Sequence, residues 1–266
     1  MQAATDLREE IEVLSDVVTP LSQPELDRET LFKGWSVEDI LGHLHMFDVA
    51  ALKALQGPEL FAKMAGPILA GMKAGKTFRE MQYEWLDGLS GVDLRAAWYQ
   101  TAVELADGFA ARDPKDRVQW FGPGMSVQSA ATARQMEVWA HGQAVFDLLG
   151  LRRKETDRIR NIAHLGVVTY GWSFACRGQE APEPAPHVRL IAPSGAVWEW
   201  NETQDDNRVE GHAVEFAQVV AQTRNVADTG LKTVGDAATR WMATAQCFAG
   251  PPSDPPLPGA RHISGG

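Results

Sequence analysis

The sequence holds only two cysteines, Cys176 and Cys247, and no Cys-x-x-Cys pair. That excludes a Cys-rich structural zinc site and argues against a disulfide framework. Neither cysteine has a flanking base, so both read as core residues rather than nucleophiles. Positive charge is also scarce. Lys and Arg number 25 against 35 Asp and Glu, a net charge of −10. A nucleic-acid surface needs concentrated Lys and Arg, so no nucleic-acid partner is expected. No apolar run reaches the ~18–20 residues that span a bilayer. The start, "MQAATDLREEIEVL", is acidic where a secretory leader is basic and then apolar. A cytoplasmic protein with no membrane partner is expected. A Gly-x-Ser-x-Gly elbow, a phosphate-binding glycine loop and a dinucleotide fingerprint are all missing.

What is present is helical patterning. Apolar residues make up 44% of the chain, enough for a substantial core. Leu7, Ile11, Leu14, Val17 and Val18 share one face of a first helix. "SQPELDRETLFKG" is a polar connector. The next helix starts after Ser36, with Asp39 three residues on, close to a capping box, and stops at Gly57-Pro58. Residues 59–76 contain Gly66, Pro67, Gly71 and Gly75, which predicts helix only in pieces. "TFREMQYEWLDGL" reads as a short helix, and Leu94, Trp98, Ala102, Leu105 and Phe109 form the stripe of a long one. "DRVQWFGPGMS" reads as a loop. A helix over 127–149, closed by Gly150, and another ending at Gly178 follow.

The composition changes at "QEAPEPAP", a Pro/Glu linker. "HVRLIAPSGAVWEWN" then predicts two strands around a Pro-Ser-Gly turn, and two more helical patterns follow. The expected fold is mainly α: a helical bundle over 1–178, a smaller α+β domain over 185–250, and a Pro/Gly-rich tail over 251–266 with irregular structure.

Two stretches carry candidate chemistry. Glu137 and His141 stand at i and i+4, on one face of one helix. Alone, such a pair reads as an intrahelical hydrogen bond rather than a metal site. His43 and His45 stand two apart, about 200° around a helix, so only one is expected to face the bundle interior. Spacing favours neither, and a hydrogen-bonded core histidine stays open for both.

"GWSVEDILGHL" and "RQMEVWAHGQ" together resemble the DinB-like metal-binding four-helix bundles, and within them the branch of mycothiol-dependent maleylpyruvate isomerases. The first motif is a tryptophan, an aspartate and a ligand histidine four residues later, matched by Trp35, Asp39 and His43. The second is an arginine, a glutamate and a histidine four after it, matched by Arg134, Glu137 and His141. The segments around "GAVWEW" and "VVAQTRN" resemble the small C-terminal domain of that branch. The resemblance implies a divalent-metal site of His43, Glu137 and His141, with one coordination position open. Zinc is the first choice, and nickel, iron or manganese also accept this donor set. It further implies a low-molecular-weight thiol such as mycothiol as cosubstrate, and an activity of S-transfer or cis–trans isomerisation on a small molecule. A water-activating hydrolase and a non-catalytic binding protein are the alternatives, and a monomer or homodimer is expected.

Around this set, Asp39 and Arg134 are candidates for supporting the ligands, Asp39 as an acceptor for the His43 ring or as a helix cap. Arg134 is expected in a structural ion pair, with pairing to Glu137 or to a substrate carboxylate as the functional alternatives. Arg224 matches by position an arginine that in the resembling isomerases assists from the C-terminal domain. It is the candidate catalytic and cosubstrate-binding residue there. His164 is a candidate acid/base, against the expectation of a buried, hydrogen-bonded histidine. One position departs from the pattern: relatives often read His-Gly-Gln-Asp, and Ala144 stands where the aspartate would be.

Overall fold

The computed structural model describes residues 1–264. By internal contacts the chain divides into two compact units, Met1–Val145 and Phe146–Gly266. The first contains α1 (Gln2–Val18), α2 (Gln23–Leu26), α3 (Val37–Gln56), α4 (Pro58–Lys73), α5 (Phe78–Leu86), α6 (Gly91–Ala110), a small hairpin of β1 (Arg117–Val118) and β2 (Met125–Ser126), and most of α7 (Val127–Leu148). The four long helices α1, α3, α6 and α7 are those of a four-helix bundle.

Local chemistry accounts for the helix limits. At the start of α3 the Asp39 amide donates to Ser36 Oγ at 3.0 Å, and the Ser36 amide donates to the Asp39 carboxylate at 2.9 Å. This is the reciprocal capping box expected from the spacing. Thr77 and Glu80 do the same for α5. Helix α3 packs on α6, α4 and α5 and is buried on nearly every side. The stripe of α6 is in the core, with Leu94, Trp98, Ala102 and Leu105 all fully inaccessible.

Two helices differ from what the sequence predicts. Residues 58–73 form one continuous helix in spite of Pro67. Burial of Phe61, Ala65 and Ile68 offsets the lost hydrogen bond. Gly71 lets α5 approach closely, since a Cβ there would meet Met81 Sδ at 2.6 Å. The stretch ending at Gly178 is not one helix. It breaks into α8 (Arg160–Val168) and α9 (Tyr170–Ala175) at Thr169, whose hydroxyl donates to the Leu165 carbonyl at 2.7 Å. Such back-bonding bends helices.

These two helices belong to the second unit, with β3 (His187–Ile191), β4 (Val197–Trp200), β5 (Arg208–His212), α10 (Ala213–Val220), β6 (Lys232–Val234) and α11 (Asp236–Thr244). The sheet order is β4-β3-β5-β6, with β3 antiparallel to β4 and parallel to β5. The β3–β4 hairpin matches the sequence reading. Strands β5 and β6 do not announce themselves, because "RVEGH" and "KTV" are short and mostly polar. Helix α8 lies against α10 through Gly166, where a Cβ would meet Val220 Cγ2 at 2.7 Å. The tail has neither helix nor strand up to residue 264, yet it is anchored. Gln222 donates to the Ser253 carbonyl at 2.7 Å, Asn225 to that of Pro256 at 2.7 Å, and Arg261 to that of Gln222 at 2.9 Å. Among the described residues no helix is long and apolar enough to cross a membrane.

Phe109 is 1% exposed, whereas Val92, on the same helix, is 55% exposed. Phe109→Ala is expected to lower unfolding free energy by about 3–5 kcal/mol in urea titration. Val92→Ala should stay within about 0.5 kcal/mol of wild type.

Candidate metal centre

Three side chains from two helices converge in the first unit. His43 projects from α3, and Glu137 and His141 project from α7 one turn apart. Glu137 Oε2 lies 3.2 Å from His141 Nε2 and 3.6 Å from His43 Nε2. One donor atom from each residue falls within 4.8 Å of the others, and among the described residues this is the group of three or more His, Cys, Asp or Glu so placed. The side chains are 12%, 25% and 12% exposed for His43, Glu137 and His141. The three side chains are therefore recessed and partly exposed.

Burial, with the neighbouring His141, pulls the His43 imidazole down to about 4. Burial alone would raise the Glu137 carboxyl, but hydrogen bonding with His141 and His43 outweighs it and holds Glu137 well below the usual range. At neutral pH the set thus contains a neutral imidazole and an ionised carboxylate, the protonation states that metal ligation requires. Two imidazoles and one carboxylate are a donor set that fits a divalent cation with an open position.

Aromatic rings pack around the histidines. Trp35, itself 8% exposed, lies parallel to the His141 ring, 6° between planes and 6.0 Å between centroids. Phe32 meets His141 edge-on at 4.9 Å, and Phe47 sits 4.8 Å from His43. The loop before α3 brings Phe32 and Trp35 in, because both the amide and the hydroxyl of Thr30 donate to the Trp35 carbonyl at 2.8 Å. Packed rings restrict the imidazoles and thin the water around them.

The choice between the two histidines of α3 is settled by position. His45 is also buried, at 7%, but against Trp85 of α5, with ring centroids 5.3 Å apart. Only His43 turns toward α7, and His45 is buried as well because α4 and α5 cover the outer side of α3.

The other candidates are placed as follows. Asp39 does not support His43. Its carboxylate accepts from the Ser36 amide and from the Tyr83 hydroxyl at 2.5 Å, with Arg79 at 3.5 Å, while His43 Nδ1 has no hydrogen-bond partner. Helix capping has claimed it. Arg134 pairs neither with Glu137 nor outward. Its Nε donates to Asp48 Oδ1 at 2.9 Å, deep in the bundle. Arg224 and His164 belong to the second unit. Arg224 makes a two-pronged pair with Asp147, at 2.7 and 2.6 Å. His164 is exposed and accepts from the Trp200 indole at 3.2 Å. Ala144 is buried, and the next acidic residue of α7 is Asp147, Arg224's partner. Cys176 is half-buried and Cys247 buried, and neither is in a disulfide.

Sequence reasoning missed Asp48, Phe32 and Phe47. The available signal for Asp48 was a lone carboxylate four residues after Leu44 on a face otherwise made of Leu and Ala. Isolated aromatics such as Phe32 and Phe47 give no comparable signal.

The mycothiol maleylpyruvate isomerase N-terminal domain family matches residues 7–146, more than half of the chain. An uncharacterized protein found in two strains of Mycobacterium tuberculosis is 37% identical over 247 residues, covering 93% of this chain and 95% of that one. The crystal structure of the mycothiol-dependent maleylpyruvate isomerase superposes with a TM-score of 0.56 at 14% identity, covering 89% of this chain and 94% of that one. A histidine-to-alanine mutant of that enzyme gives 0.55. At such identity the likeness speaks for the fold. The match over both helices that carry the His43, Glu137 and His141 cluster places this chain in the mycothiol maleylpyruvate isomerase N-terminal domain family.

Proposed function

We propose that the protein is a metal-dependent enzyme, with zinc the first choice, that uses a low-molecular-weight thiol such as mycothiol for S-transfer or cis–trans isomerisation of a small electrophile. The observation that carries this reading is the convergence of His43, Glu137 and His141 in a chain of this family. A divalent cation held there supplies Lewis acidity, which keeps a thiol deprotonated at neutral pH.

The chain's own residues do the rest. His43 and His141 offer Nε2 lone pairs, and Glu137 offers Oε2 and the single negative charge. Leaving the set at −1 keeps the centre positive and attractive to a thiolate. Trp35, Phe32 and Phe47 limit water beside the ligands, which strengthens electrostatic attraction there. In isomerisation the thiolate sulfur bonds to a carbon of an activated double bond, and the π electrons move to the activating carbonyl. Rotation follows about the resulting single bond. The electrons return, the C–S bond breaks, and the thiolate is regenerated with the alkene in the other geometry. In S-transfer the C–S bond is kept and a leaving group departs with its electron pair. This reading uses neither Arg224, whose terminal nitrogens are both bonded to Asp147, nor His164, which is exposed and bonded to Trp200.

Metal analysis of the purified protein is expected to find about one divalent ion per chain, as a three-residue donor set requires. His43→Ala, Glu137→Ala and His141→Ala should each lower metal content at least tenfold. Unchanged content in all three would sink the assignment. With the Co(II)-loaded protein, added mycothiol is expected to produce a thiolate-to-metal absorption band, and turnover of an activated alkene or alkyl electrophile should require the thiol. Turnover without thiol would instead indicate water activation. A loaded centre with neither a thiol band nor turnover would indicate a binding protein.

A further inference from the structure

The metal-centre reading leaves a structural question. His43 belongs to a different helix from Glu137 and His141, so their spacing depends on how α3 sits along α7. Sliding one helix by a single residue moves its side chains about 1.5 Å and turns them about 100°. Packing of Leu and Ala side chains resists such a slide weakly, because apolar contact has little directionality.

One directional contact lies beside the ligands. Arg134 stands one turn before Glu137, and Asp48 stands five residues after His43. Arg134 Nε donates to Asp48 Oδ1 at 2.9 Å, and a terminal nitrogen of the same guanidinium lies 2.9 Å from that oxygen. The guanidinium also reaches the carbonyl of Leu44, the residue next to His43, at 3.4 Å. Both side chains are almost wholly inaccessible, at 4% and 1%. Arg134 therefore holds α3 at two points that bracket the turn after His43.

Stability alone does not account for this pair. Burying two charges is expensive, and well-packed apolar residues of similar volume often serve as well or better. Burial pushes the Asp48 carboxyl up to about 6 even with Arg134 beside it. Directional pairing is what a buried ion pair adds, and setting register is its best-attested use.

We infer that Asp48 is a positioning residue: through its buried ion pair with Arg134 it sets the register of α3 against α7, and so the placement of His43 opposite Glu137 and His141. The inference rests on the metal-centre reading, and the test separates the two.

The full-length chain is loaded with Co(II), and its ligand-field absorption, its affinity by chelator competition and its urea midpoint are measured for wild type, Asp48→Asn, Arg134→Lys and the double variant Asp48→Leu/Arg134→Met. Asp48→Asn is expected to weaken Co(II) binding about 10- to 100-fold, as loss of a ligand-supporting contact does, and to shift the absorption bands. Arg134→Lys keeps the charge and loses the fork, so an intermediate loss is expected. The double variant should recover the wild-type urea midpoint while affinity and spectrum stay altered. A stable double variant with wild-type affinity and spectrum would overturn the inference and leave the pair a packing element. If the double variant does not fold, Arg134→Lys decides: unchanged affinity and bands overturn the inference. Failure of the wild type itself to bind Co(II) would remove the metal-centre reading, and this inference with it.

Discussion

The packing of α3 beside α7 is the constraint on which the rest of the first unit depends. These helices are far apart in the chain, yet they must hold an imidazole of one within a few ångströms of a carboxylate and an imidazole of the other. Helix α3 is suited to this because it is enclosed, with α6, α4 and α5 all packed on it. Enclosure explains its composition. Leu, Ile, Val and Ala fill almost every turn, and the few polar side chains each have a defined place. Asp39 caps the helix, His45 packs on Trp85, Asp48 pairs with Arg134, and His43 faces the cluster.

The same enclosure determines the electrostatics. In water a histidine is partly protonated near pH 6.5 and a poor ligand below it. Burial keeps His43 neutral, while the flanking imidazoles keep Glu137 ionised despite burial. Both shifts are downward, so both groups stand deprotonated, one neutral and the other charged. The aromatic rings add to this by displacing water from one side of each imidazole. Holding these polar groups within the bundle comes at the expense of stability that a fully apolar bundle would keep.

Much of the architecture was legible because it rests on period. The stripes of α1 and α6, the Ser36–Asp39 box and the β3–β4 hairpin are local patterns, and local geometry carries them into the fold. Where local signals conflicted with packing, packing prevailed. Helix α4 runs through Pro67 because its apolar face is buried, and the helix up to Gly178 breaks at Thr169 although its apolar pattern continues. Strands β5 and β6 are short and polar, so their place in the sheet comes from neighbours rather than from alternation.

The candidate site divides in the same way. The sequence by itself determined that Glu137 and His141 share a face, since i and i+4 on a helix must. Spacing along α3 left His43 and His45 equivalent, and the resemblance to the family's first motif pointed to His43. The tertiary structure brings His43 to Glu137 and His141 and puts His45 against Trp85, which depends on which helices cover which side of α3. The partners of Asp39 and Arg134 were likewise out of reach of any local pattern. Tyr83 lies 44 residues from Asp39, and Asp48 lies 86 residues from Arg134. A charged side chain buried in a bundle takes whatever opposite charge the fold brings to it, and spacing along the chain carries no record of that meeting.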